Sequence, residues 1–295
     1  MPPTLSVVIP TYRRAARLGG ALEALNRQTL APETYELIVA DDGSGDDTLA
    51  RLETLRPRLR PRLVVVTGPH GGPAAARNRG LAHAQGRLVL FLDDDVVAAP
   101  GLLAEHRRRH EAQRGIAVLG RVAWAPAPPP TPFMRFLAPR GPLFHYHTIR
   151  DPEAVRFTHF YTLNLSLERR WFEMERFDEA FPIAAFEDLE LGYRLCRRGL
   201  RIVFEPSALA YHDHPYTPED FWRRMEAAGA SAAILLDKHP ELRREYLPWG
   251  LPTAGRCLAG IARLEALGAR LGRPWWWAKT VYHYTRGARG VHHVA

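Results

Sequence analysis

The first 122 residues alternate between two spacings of apolar positions. Residues 5–9 form an apolar, β-branched run closed by Pro10, and Leu18, Ala21, Leu22 and Leu25 then recur at intervals of three and four. These are the periods of a buried strand and of a helix with one apolar face. Residues 37–40 predict a second strand, ending in Asp41-Asp42-Gly43-Ser44-Gly45, after which Asp46 or Asp47 can cap a helix carrying Leu49 and Leu52. A third strand at 63–66, a turn at 68–72, a helix at 74–84 and a fourth strand at 88–92 follow. Pro100 starts a further helix through Leu102, Leu103 and His106, and residues 116–122 return as a strand. Repeated β-α-β units with short connections imply right-handed crossovers and a largely parallel sheet with helices on both faces.

The pattern breaks between Ala125 and His147. Pro126, Pro128, Pro129, Pro130 and Pro132 predict a loop or mobile flap, and a passive linker fits the same composition. Residues 160–167 predict a strand carrying Asn164. A helix is expected at 189–198, because acids precede it, Arg194, Arg197 and Arg198 lie toward its end and Gly199 follows. Short strands at 200–204 and 209–211 lead to His212-Asp213-His214. The rest is helical in composition, started near Pro218 and punctuated by Pro240, Pro248, Pro252 and Pro274. The division expected is an α/β catalytic unit at 1–215, with a nucleotide-binding half at 1–122 and an acceptor half at 123–215, and a helical extension at 216–295.

Charge changes this picture little. The net charge of +8 comes almost wholly from arginine, spread along the 295 residues rather than gathered in a patch, so a nucleic-acid partner is not expected. Cys196 and Cys257 have no metal-ligand spacing. No signal peptide and no bilayer-length apolar run is visible, which predicts a cytoplasmic protein. Arg273-Pro274-Trp275-Trp276-Trp277-Ala278-Lys279, with Tyr282, Tyr284, Arg286 and Arg289, predicts peripheral contact with the inner face of a membrane, packing against the catalytic unit being the alternative.

The candidate chemistry lies at strand ends. Residues 88–92 run straight into Asp93, Asp94 and Asp95, and parallel sheets bind ligands beyond the carboxyl ends of their strands. Adjacent carboxylates suit a hard divalent cation shared with phosphate oxygens, although Asp is also a common turn residue. The chain lacks both Gly-x-Gly-x-x-Gly after the first strand and a Gly-Lys-Ser/Thr loop, which removes the main support for dinucleotide and P-loop readings. Asp41 or Asp42 can accept from the imide of a pyrimidine, and Arg13, Arg14 and Arg77 can balance a diphosphate. Asp188 opens a helix beside Glu187 after an apolar segment, where desolvation raises a carboxylate toward a base's working range. His212 and His214, two apart on a strand, point the same way and either can ligate a cation.

Five ordered motifs then stand out: Ser-Val-Val-Ile-Pro-Thr-Tyr from Ser6, Ala-Asp-Asp-Gly-Ser from Ala40, Gly-Pro-Ala-Ala-Ala-Arg-Asn-Arg-Gly from Gly72, Phe-Leu-Asp-Asp-Asp from Phe91 and Phe-Glu-Asp-Leu-Glu-Leu from Phe186. Together they resemble glycosyltransferase family 2, the inverting GT-A nucleotide-sugar transferases. The resemblance implies a GT-A fold and a nucleoside pocket lined by Pro10, Thr11, Tyr12 and Asp42, with Arg14 and Arg77 near the diphosphate. Asp94 would face the ribose, with Asp93 also among the nucleotide-binding residues, and Asp95 would hold Mg2+ or Mn2+ with His212, or with His214. Asp188 would be the general base, with Glu187 and Asn164 on the acceptor side. The implied reaction moves a sugar from a nucleotide sugar, with a uridine nucleotide expected, to a hydroxyl of a glycan, lipid-linked or small-molecule acceptor. A non-catalytic relative that only binds sugar nucleotides or glycans is the alternative.

Overall fold

The computed structural model describes residues 3–246 and 272–290; Pro248, Pro252 and Cys257 lie outside the described residues. Its centre is an eight-stranded sheet in the order β3-β2-β1-β4-β7-β6-β8-β5. The strands are β1 (Leu5–Thr11), β2 (Tyr35–Asp41), β3 (Arg62–Thr67), β4 (Leu88–Leu92), β5 (Val96–Ala98), β6 (Ile116–Trp124), β7 (Asn164–Glu168) and β8 (Arg201–His212). Strands β3, β2, β1 and β4 are parallel, as the β-α-β pattern requires. Strand β7 runs antiparallel between β4 and β6, and short β5 pairs antiparallel with β8.

The continuous apolar runs have a direct cause: both faces of the sheet are covered. Leu5, Val7 and Ile9 pack on one side with α1 (Ala15–Asn26) and α2 (Thr48–Leu55), whereas Val8, Ile38, Val89 and Phe91 pack on the other with α3 (Gly72–His83) and α7 (Glu187–Arg197). Helix α4 (Leu102–Ala112) lies against β6 and β8.

The structure departs from the pattern-based expectations in two places. Residues 132–137 of the proline-rich segment form a helix, α5 (Pro132–Leu137), capped by the Thr131 hydroxyl, which accepts from the Met134 amide at 3.2 Å. Phe133, Phe136 and Leu137 are buried against Phe221, so this half of the segment is docked rather than a flap. The two short strands expected at 200–211 are one strand, β8, whose register against β6 shifts between Gly120 and Arg121.

After α6 (Trp171–Met174) and α7, the chain ends its described part in α8 (Pro218–Lys238), α9 (Arg243–Tyr246) and α10 (Arg273–Gly290). Helices α8 and α10 pack along each other. Trp275 is buried, Trp276 stacks edge-on against Phe133 at 5.3 Å, and the Lys279 ammonium lies over the Trp222 and Trp275 rings at 5.3 and 5.2 Å. Trp275 and Lys279 of the aromatic and basic segment thus pack on the protein itself, whereas Trp277 stays exposed, and the expected membrane contact gains no support. Among the described residues no helix is long and apolar enough to cross a membrane.

Candidate active site

A cavity of about 1120 Å3 opens where β1, β2 and β4 end, bounded on the far side by α7, α8 and α10. Pro10, Thr11, Tyr12, Arg14, Asp42, Arg77, Asp93, Asp94, Asp95, Glu187, Asp188 and His212 all line it. Strand register explains the gathering: residues just past the ends of parallel neighbours share one edge of the sheet.

At the end of β2, the Asp42 carboxylate is already fixed. It accepts from the Gly71 and Gly72 amides at 3.0 and 2.8 Å, meets His70 Nδ1 at 2.8 Å and pairs with Arg79. Gly72 has φ +85°, and a Cβ there would come 2.7 Å from the Pro182 carbonyl, so only glycine lets this loop close. Tyr12 stacks on His70 with ring centroids 4.1 Å apart, forming an aromatic wall.

The three aspartates face different partners. Asp93 pairs with Arg77 at 3.0 Å, and the same guanidinium reaches Glu187 at 2.7 Å. Asp94 accepts from the Thr11 hydroxyl at 2.7 Å and from Arg14 at 3.2 Å. Burial pushes its carboxyl up to about 7, against the opposing charge of Arg14. Asp95 is 2.6 Å from Arg14 and flanked by His212 Nε2 at 3.8 Å and His214 Nδ1 at 3.5 Å. Burial works to raise it as well, but His212, Arg14, His214 and Arg17 together hold it below the ordinary aspartate value.

Asp95 and His212 or His214 are the residues here that could hold a divalent cation. Among the described residues no three acidic, histidine or cysteine groups form a ready-made metal cluster. Asp95 with one or two imidazoles is an incomplete set, as expected where phosphate oxygens supply the remaining ligands. His212 keeps its Nδ1 buried without a hydrogen bond, and burial lowers its pKa although Asp95 and Asp93 work to raise it.

Across the cavity, Asp188 lies in the first turn of α7. Its Oδ1 accepts from the Leu189 amide at 2.8 Å and its Oδ2 from the Thr162 amide at 3.3 Å. Burial raises its pKa even though Arg77 and both amides favour the charged form. Glu187 is pushed up to about 7 by burial and by Asp188 beside it, in spite of Arg77. Phe186, the residue before this pair, has the left-handed φ of +70°. For a bulky side chain that conformation costs about 1–3 kcal/mol, and packing of its ring on Tyr246 at 5.2 Å helps to hold it.

The glycosyl transferase family 2 model matches residues 6–171, more than half of the chain. The chain belongs to this family. Over 283 residues it is 34% identical to a validoxylamine A glucosyltransferase of Streptomyces hygroscopicus, covering 86% of this chain and 60% of that relative. A pre-mycofactocin glycosyltransferase of Mycobacterium tuberculosis is 30% identical over 278 residues, 91% of this chain and 54% of that one. The chain therefore spans a little over half the length of these relatives. Among solved structures, a mannosyltransferase from Pyrobaculum calidifontis in complex with GDP-Man and Mn2+ superposes with a TM-score of 0.68 at 22% identity, covering 98% and 87% of the two chains. TarS 1–349 of Staphylococcus aureus in complex with UDP gives 0.59 at 19%, covering 99% and 92%. These likenesses establish the GT-A fold.

In this family 2 chain, two of the expected site residues are not part of the cavity lining. Asn164 is fully buried, and its amide donates to the carbonyls of Ala208 and Arg121 at 2.9 and 3.2 Å, filling the gap left by the register shift in β8. Thr162 and Leu163, just before it, line the cavity instead. Arg13 is committed to the loop after β2, donating to Ser44 from its amide at 2.9 Å and from its guanidinium at 3.0 Å. Sequence reasoning missed His70, Arg79, Arg224, Tyr246 and Trp277. His70 had a local signal, since residues 68–72 form a glycine-rich turn next to a strand-end acid, and Arg79 belongs to the Gly72–Gly80 motif. The other three come from helices whose relation to the sheet no spacing reveals.

Proposed function

We propose that this family 2 chain transfers a glycosyl group from a nucleotide sugar, with a uridine nucleotide as the expected carrier, to an acceptor hydroxyl with inversion of configuration. The observation that supports the reading is that Asp188, raised by burial, and the Asp95-His212 pair line one cavity. Asp188, raised by burial, takes the acceptor proton. The acceptor oxygen attacks the anomeric carbon from the Asp188 side, the bond to the diphosphate breaks on the other, and the nucleoside diphosphate leaves with the electron pair. Asp95 with His212 would hold Mg2+ or Mn2+, which supplies charge stabilisation to the leaving diphosphate. Arg14 bridges Asp94 and Asp95 and balances their charge. The complexes of structural neighbours with UDP and with GDP-Man and Mn2+ support a nucleotide-sugar donor and a divalent ion.

The acceptor side is walled by Tyr161, Tyr216, Met225, Tyr246, Trp277 and Tyr284. Aromatic faces of this kind suit sugar rings and other ring polyols. The hydroxyl of a glycan, a lipid-linked sugar or a small cyclic molecule is the acceptor class proposed.

The test is a panel of nucleotide sugars scored by thermal stabilisation with and without Mn2+. One donor should raise the melting temperature in a metal-dependent way and release its sugar when an acceptor or water is present. Asp95→Asn should remove the metal-dependent part. No stabilisation by any nucleotide sugar would overturn the reading, and binding without release would identify a sugar-nucleotide-binding protein instead.

A further inference from the structure

Arg14 and Arg77 line the cavity but are already committed to carboxylates, Arg14 to Asp94 and Asp95 and Arg77 to Asp93 and Glu187. Arg224, in the second turn of α8, lines the same cavity and makes no hydrogen bond or ion pair with any described residue. The Asp95 corner lines this cavity too: His212 flanks Asp95, and Tyr216 stacks on His212 with centroids 5.9 Å apart and planes 22° from parallel. Glu187, Asp93 and Asp188 are also on the cavity wall, and the electrostatics of these acids and of Tyr216 favour the charged guanidinium. Arg224 thus shares one cavity with the Asp95 corner and with Asp188, the two groups that act on either end of the donor bond if the proposed reaction is correct.

A cation held by the field of several acids, yet bonded to none, keeps its five N–H donors for an anion brought by the ligand. Resting on the proposed reaction, we propose that Arg224 is a diphosphate-binding residue, supplied by α8 from outside the stretch that the family model matches. When the bond between the anomeric carbon and the terminal phosphate oxygen breaks, the electron pair stays on that oxygen. Arg224 donates N–H bonds to it without giving up a proton. The acceptor proton goes to Asp188, so atoms and charge balance.

The experiment uses the full chain as wild type, Arg224→Gln and Arg224→Lys, each titrated by calorimetry with UDP, UMP, GDP and GMP in the presence of Mn2+. Binding of one diphosphate by the wild type tests the donor reading itself. For that nucleotide, Arg224→Gln should weaken the diphosphate about 10–100-fold, the loss of charge-assisted hydrogen bonds, and leave the monophosphate within about 2-fold. Arg224→Lys should fall between, and melting temperatures should match. If diphosphate and monophosphate weaken alike, or neither changes while the acceptor KM rises, Arg224 does not hold the diphosphate. If the wild type binds no diphosphate, the donor reading fails and this inference with it.

Discussion

Asp188 takes both its hydrogen bonds from backbone amides, so replacing its charge leaves no side-chain partner stranded. Asp188→Asn should therefore fold with a near-normal melting temperature and bind the donor nucleotide as before, while turnover falls about 10²–10⁴-fold. Calorimetry beside the transfer rate separates the two effects, and a variant with normal turnover would remove Asp188 from the mechanism. A base acts only when ionised, so rate is lost as pH falls through its pKa. Because burial lifts Asp188 above 3.8, the acidic limb of the kcat profile should lie above the ordinary aspartate range. A limb at or below that range would mean the proton goes elsewhere. At this scale the sequence was informative wherever a residue ends a strand or opens a helix. Asp42, Asp95 and Asp188 could be placed at the cavity from the sequence because a strand end or a helix start marks each position, although their partners come from distant residues. The burial of Asn164 could not be read, because its partners, Arg121 and Ala208, come from a register shift that no local pattern encodes.

Among the elements, α4 and β7 share a buried polar chain. His110 Nε2 lies 2.9 Å from the Ser166 hydroxyl, which lies 2.8 Å from His106 Nδ1, and His106 Nε2 is 2.9 Å from Asn164 Oδ1. With Asn164 oxygen able only to accept, one direction satisfies every link: His106 donates to Asn164, Ser166 to His106 and His110 to Ser166. Both imidazoles are then neutral. Burial lowers His106 to about 4 and His110 to about 3, from 6.5. The unfolded chain takes up these protons below 6.5 while the folded chain does not. Their contribution is complete above that pH and is lost as pH falls toward 4, at about 1.4 kcal/mol per pH unit for each proton. His106→Gln should be less stable at pH 7 yet lose less on acidification to pH 4.5, as urea midpoints would show. Parallel loss in both proteins would exclude His106 from the acid response. The strands and helices around this chain were predictable from apolar period alone. Their joint polar interior was not, since His106 reads in sequence as one more residue on a helix face.

For the whole molecule, the cavity has two sources: strand ends on the nucleotide side, and α7, α8 and α10 on the other. Helices α8 and α10 meet at glycines; a Cβ on Gly287 would come 1.8 Å from the Glu226 carbonyl, and one on Gly229 2.0 Å from that of Tyr284. This close crossing holds Trp277, 49% exposed, over the cavity. Trp277→Ala should raise the acceptor KM about 10-fold or more, the scale of a lost aromatic contact, while donor nucleotide affinity stays unchanged. A change in donor affinity alone would place the indole on the wrong substrate. The parallel half of the sheet was readable because β-α-β alternation leaves few topologies. The packing of Trp275 and Lys279 on the protein itself was not, because the same residues suit a membrane surface or a protein groove.

The pairing of β5 with β8 gives the site an order in time. Asp95 meets His212 only through this pairing, in which Val96 lies opposite His212 and the Asp213 amide donates to the Asp95 carbonyl at 2.8 Å. Synthesis runs from the amino terminus, so the ribosome has delivered β1 to β4 and all three strand-end acids long before residue 212 exists. A chain halted anywhere in that interval owns the strand-end acids but lacks His212, and lacks Asp188 as well if it stops before residue 188. Under the proposed assignment it has no means of breaking a donor, and competence to spend nucleotide sugar arrives only when the last strand closes.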